Sequence, residues 1–87
     1  MANVTSVAGL SIDVASGAPI HVQIEEQIKL AVARGRLTPG QRLPPVRTLA
    51  RDLGVHVNTV AKAVASLSQQ GVLETRRGRG TFVAQAG

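Results

Sequence analysis

The chain has 87 residues, no cysteine and one aromatic residue, Phe82, so it can hold one small domain stabilised by packed aliphatic side chains rather than by disulfides or thiolate metal sites. Its ten Lys and Arg against five Asp and Glu leave a formal charge of +5. Nine of the ten basic residues lie from Arg34 onward, opposed there only by Asp52 and Glu74, and such a field favours a polyanion, either nucleic acid or an anionic membrane surface.

Met1 to Gly9 has no basic leader followed by an apolar run, so it does not read as a signal peptide. No stretch approaches the ~20 apolar residues of a membrane span. A cytoplasmic protein without membrane contact is expected. Leu10, Ile12 and Val14 alternate with Ser11, Asp13 and Ala15, the period of a short strand. Residues 1–18 are therefore read as an arm, 19–84 as the folded domain and 85–87 as a short tail.

Ile20, Ile24, Ile28, Ala31 and Val32 recur at helical spacing. A first helix is expected over Pro19–Ala33, opened by a proline whose missing N–H would have no helical partner and stopped by Gly35. Thr38-Pro39-Gly40-Gln41 has the order of a type II turn, and Arg42-Leu43 can add one strand rung. Pro44-Pro45 opens a second helix with Val46, Leu49, Ala50 and Leu53 on its apolar face and Gly54 at its end. A third begins at His56 or Val57, carries Val60, Val64 and Leu67 inward and stops at Gly71. Val72–Thr75 and Thr81–Ala84 then read as strands around an Arg76–Gly80 turn, with Phe82 packed beneath the hairpin.

Ala50, Gly54 and Val60 form the most informative spacing. Two short helices that cross closely need a small residue at the approach, a left-handed residue at the turn and a branched apolar anchor in the second helix. That is the helix-turn-helix pattern, and a hairpin after it makes a winged helix: mainly α, with three helices and a two-stranded wing.

The residues also carry a family resemblance. Pro19–Ile24, Gly35–Pro44, Val46–Ala50, Leu53–Val55, Asn58–Val60, Leu67, Gly71–Glu74 and Gly78–Val83 resemble the DNA-binding domain of GntR-type bacterial transcription regulators, in order and without gaps. Where that family commonly has Ser-Arg before Asn-Thr-Val, this chain has His56-Val57, and Ala61-Lys62 follows where many members have Arg. This looks more like the YtrA-like branch, in which a short helical tail replaces a large effector domain. The resemblance implies sequence-specific binding of double-stranded DNA by a transcription regulator, most often a repressor, and a homodimer in the full-length setting. The chain ends soon after the wing, so a fragment that is monomeric in dilute solution is expected.

In such a motif the N-terminal residues of the second motif helix face base edges in the major groove. Here these are His56, Val57, Asn58, Thr59 and Lys62, with Ser66 further along the same expected face. Asn pairs with adenine, Lys reaches guanine acceptors, and Val or the Thr methyl touches a thymine methyl. Asn58 and Thr59 have an equal second reading as caps for the free N–H groups of the helix, and His56 is read first as a cap or a solvated turn residue. Arg47, in the first turn of the second helix, suits a phosphate contact, as the resemblance also implies, while Arg51 reads as surface charge. Arg76, Arg77, Gly78 and Arg79 form a basic wing tip suited to a minor groove or to flanking phosphates.

The rival readings are a protein-interaction module, whose third helix would expose an apolar face, and an RNA binder, which would want stacking aromatics. No phosphate loop and no nucleophile–base arrangement supports an enzyme. His21 is the only other histidine, so neither a metal nor a cofactor is expected.

Overall fold

The computed structural model describes residues 12–85. A 3-10 turn at Val14–Ser16 precedes α1 (Ile20–Ala33), α2 (Val46–Leu53), α3 (Val57–Gln69), β1 (Leu73–Arg76) and β2 (Gly80–Val83). This is the expected winged helix.

All three helices stop in the same way. Past α1, Arg36 N–H donates to Ala31 O and Gly35 N–H to Val32 O; past α2, Val55 donates to Ala50 O and Gly54 to Arg51 O; past α3, Val72 donates to Leu67 O and Gly71 to Ser68 O. Each pair is a Schellman closure, and each needs a left-handed residue at its centre, supplied by Gly35, Gly54 and Gly71 with φ of 76°, 72° and 81°. At Gly54 the closure reverses the chain between α2 and α3 within three residues and creates the motif's turn.

The core is assembled from one stripe of each helix: Ile24, Ile28 and Ala31 of α1, Leu49 and Ala50 of α2, and Val60, Ala63, Val64 and Leu67 of α3. Leu37 and Leu43 close it from the connection, and Leu73 and Val83 from the hairpin. Ala50 and Ala63 are the small residues at this crossing, and both are buried. A polar link supplements the packing between α1 and α3. Glu25 Oε1 accepts from Ser66 Oγ at 2.9 Å and from Gln70 Nε2 at 3.2 Å.

β1 and β2 pair antiparallel, with Leu73 opposite Val83, Glu74 opposite Phe82, Thr75 opposite Thr81 and Arg76 opposite Gly80. The expected rung beside them forms. Arg42 bridges Phe82, Leu43 N–H donates to Thr81 O at 2.8 Å, and Val83 N–H donates to Gln41 O at 2.8 Å. The preceding turn closes by Gln41 N–H to Thr38 O at 3.0 Å.

Three expectations need correction. The alternation at Leu10–Val14 does not continue into a strand: Asp13 is extended but joins no strand among the described residues, and Val14 opens the 3-10 turn, while Leu10 and Ser11 lie outside the described residues. Local side-chain bonds outweigh the period here, as Asp13 Oδ1 accepts from Ala15 N–H at 3.0 Å and Ser16 Oγ from Ala18 N–H at 3.2 Å. The Gln23 carboxamide then fastens this segment to α1, accepting from Asp13 N–H and donating to Asp13 O, Ser16 Oγ and Ala18 O. Phe82 is half-buried rather than core, because the two-residue period that turns Val83 inward turns Phe82 to the outer face. The strands also sit one residue off expectation, which takes Arg76 out of the turn and into β1.

Candidate nucleic-acid interface

With Val60, Ala63, Val64 and Leu67 turned into the core, α3 leaves Asn58, Ala61, Lys62, Ala65 and Gln69 exposed along its opposite side. Their spacing of three and four residues makes one continuous stripe. The hydrogen-bonding side chains of Asn58 and Lys62 alternate with the methyl groups of Ala61 and Ala65, which keep the helix surface low. Ser66 is not part of this stripe; its hydroxyl is held by Glu25 on α1. Val57 and Thr59 are half-buried, and Val57 packs partly against the core.

The cap of α3 is His56. Its backbone is extended, at φ −69° and ψ 143°, and its Nδ1 accepts from Asn58 N–H at 3.0 Å. Capping through Nδ1 requires the tautomer with the proton on Nε2. The capping reading of His56 therefore holds. Neither Asn58 nor Thr59 supplies the cap, and the exposed Asn58 carboxamide is left out of it.

On α2, Arg47 and Arg51 are exposed one turn apart, Arg47 in the first turn and Arg51 in the last. Pro45 occupies the cap position of this helix and offers no side-chain acceptor.

The wing divides its arginines into two kinds. Arg77, Gly78 and Arg79 form the exposed tip, closed by Arg79 N–H to Arg76 O at 2.9 Å, with Gly78 at φ 77°. Arg76 is engaged lower down: its guanidinium lies 4.8 Å from the Phe82 ring centre and its Nε 3.2 Å from Glu74 Oε2. Arg42 flanks the same outer face. A Cβ at Gly80 would sit 3.0 Å from Arg42 Nε, so the absent side chain makes room for this guanidinium. Sequence reading placed neither the Arg42 guanidinium beside the wing nor Ala61, Ala65 and Gln69 on the exposed stripe of α3. The signal for the last three was present, since they fall on the face left over once the Val60, Val64 and Leu67 spacing is turned inward.

Among the described residues no ionisable side chain is buried and no group of three potential metal ligands comes together. No helix among the described residues is long and apolar enough to cross a membrane.

Comparison with known proteins gives consistent results. Residues 20–83 match the family model described as bacterial regulatory proteins, gntR family. The HTH-type transcriptional repressor YtrA of Bacillus subtilis is 42% identical over 76 residues, covering 87% of this chain but only 58% of the Bacillus protein. YtrA from Sulfolobus acidocaldarius, a GntR-family transcription factor, superposes with a TM-score of 0.85 at 38% identity, over 90% of this chain and 82% of that one. The DNA-binding domain of AraR, solved in complex with its operator ORE1, gives a TM-score of 0.73 at 36% identity over 77% and 82% of the two chains.

Proposed function

The chain belongs to the gntR family of bacterial regulatory proteins, and on that premise we propose that it is the DNA-binding part of a transcription regulator that recognises a specific duplex sequence and represses transcription. The carrying observation is the exposed stripe of α3, where Asn58 and Lys62 stand beside Ala61 and Ala65. A helix so built fits a major groove: its small residues allow close approach, and its polar side chains reach base edges. The stripe lacks the large apolar side chains that a protein-docking helix would present. The similarity to AraR bound to its operator and to a Bacillus repressor supports both the ligand and the sign of regulation.

Each residue then has a role. Asn58 and Lys62 read bases, with Thr59 and the exposed edge of Val57 beside them. His56 holds the helix end. Arg47 grips phosphate. Arg77, Gly78 and Arg79 follow the flanking minor groove, while Arg76 braces the wing on Phe82. In a full-length regulator two such domains read the two halves of a symmetric site, as two-fold motifs do.

Binding to duplex DNA, duplex RNA and single strands, compared over a salt series, tests this reading. Duplex DNA is expected to win, with affinity falling against log salt by about 0.9 for each phosphate neutralised. Preference for RNA, or salt-independent binding, would contradict it.

A further inference from the structure

The outer face of the hairpin gathers two guanidinium groups and one carboxylate. Arg42 bridges Phe82, and Phe82 stands opposite Glu74, so these three share a face, because residues paired across strands point the same way. Arg76 lies two residues beyond Glu74 and opposite Gly80, which puts both on that face as well. Leu73 and Val83 occupy the other face, in the core.

The two guanidinium groups are held differently. Arg76 is neutralised locally: its Nε is 3.2 Å from Glu74 Oε2, and its guanidinium lies over the Phe82 ring. Arg42 is positioned by a gap. Its Nε, Nη2 and Cζ lie 3.0, 3.4 and 3.6 Å from where a Cβ of Gly80 would be, so the side chain rests against the backbone of β2. It stays exposed, and among the described residues it forms no ion pair. A positioned cation without a counter-charge, on a solvated face, is suited to an anion from outside the chain.

The place of Arg42 in the fold favours one anion. It precedes α2 by four residues, and the first turn of α2 carries Arg47. Its guanidinium lies over Gly80, which adjoins Arg79 at the wing tip. Arg42 thus stands between the two elements assigned to the DNA backbone and the flanking groove. We propose that Arg42 is a further DNA-contacting residue, whose guanidinium grips a backbone phosphate between the reach of α2 and that of the wing. The proposal rests on the DNA-binding reading and adds to it a sequence-independent contact on the outer face of the hairpin. A guanidinium suits the task because its planar fork offers a phosphate two parallel N–H donors. Arg76, tied to Glu74, braces that face and is not a second grip.

Affinity of the whole chain for a selected duplex and its scrambled counterpart, measured over a salt series, tests it. Arg42→Gln should make the fall of log affinity against log salt shallower by about 0.9, the value of one neutralised phosphate, and weaken both duplexes by the same factor. Lys29→Gln removes an equal charge from the side of α1 turned away from its core stripe, and should leave the slope unchanged. Melting temperature should hold for both variants. Duplexes with a neutral methylphosphonate at single flanking positions then locate the contact: at one position the wild-type chain should weaken and Arg42→Gln should not. A wild-type slope in Arg42→Gln, while Arg47→Ala makes it shallower, would overturn this proposal and leave the DNA-binding reading standing. A lower melting temperature with an unchanged slope would also overturn it, by making Arg42 a brace of the sheet. A wild-type chain that binds no duplex at any salt would overturn both.

Discussion

His56 and Asn58 are joined by a hydrogen bond of 3.0 Å from the Asn58 amide to the His56 imidazole, and this bond separates two duties at the start of α3. Capping falls to His56, which leaves the exposed Asn58 side chain out of the cap and, under the proposed function, open to a base edge. His56→Ala should then lower stability by about 1 kcal/mol, as removal of a cap generally does, and the melting temperature by roughly 4–8 °C for a domain of this size. His56→Ser, which restores an acceptor, should recover most of it. An unchanged melting curve for His56→Ala would show that the bond contributes nothing in solution.

Asn58→Ala and Lys62→Ala should behave in the opposite way. Both side chains are exposed and neither caps the helix, so melting temperature should hold. The preference for the specific site should fall by about 1–3 kcal/mol for each bidentate pairing with a base that the substitution removes. Arg47→Ala should weaken specific and random duplexes alike, since phosphate contacts carry no sequence information. Titration of paired specific and scrambled duplexes separates the two patterns. Equal weakening on both duplexes for Asn58→Ala would remove it from the reading residues.

Much of this is legible in the sequence, because helix period and glycine stops are local properties. The three helices, the Thr38–Gln41 turn and the Arg42 rung all follow from spacing and turn chemistry within a few residues. The remainder depends on partners distant in sequence or on competition between equals. Gln23 binds the segment around Asp13 from ten residues away, and no alternation pattern contains that bond. Ser66 has the spacing of an outward face, but Glu25, 41 residues earlier, claims its hydroxyl. Hydrophobicity alone places Phe82 inward, although its parity with Val83 already argues the other way.

Ala65→Glu probes the stripe without touching its hydrogen-bonding residues. Ala65 is exposed and glutamate suits a helix, so the fold should persist within about 0.5 kcal/mol. A carboxylate there would meet the phosphate-lined groove, and DNA affinity should fall at least about tenfold through like-charge repulsion. Unchanged affinity would mean that this part of α3 faces away from DNA.

Within the wing, Arg77→Ala and Arg76→Ala should differ. Arg77 is exposed at the tip, so its removal should reduce the preference for A·T-rich flanks, whose narrow minor groove attracts arginine, and leave melting unchanged. Arg76 touches Phe82 and Glu74, so its removal should also cost stability, by roughly 0.5–1 kcal/mol for an exposed cation–π pair. Flank preference that survives Arg77→Ala would count against a wing in the minor groove.

The central claim is that the exposed stripe of α3 reads a duplex sequence. Repeated selection of bound duplexes from a random pool tests it most directly, run in parallel with the wild-type chain and with Asn58→Ala/Lys62→Ala. The account predicts that the wild-type chain enriches one motif and that the double variant, still folded, does not enrich it. A wild-type pool that remains random after selection, or the same motif enriched by both proteins, would contradict it.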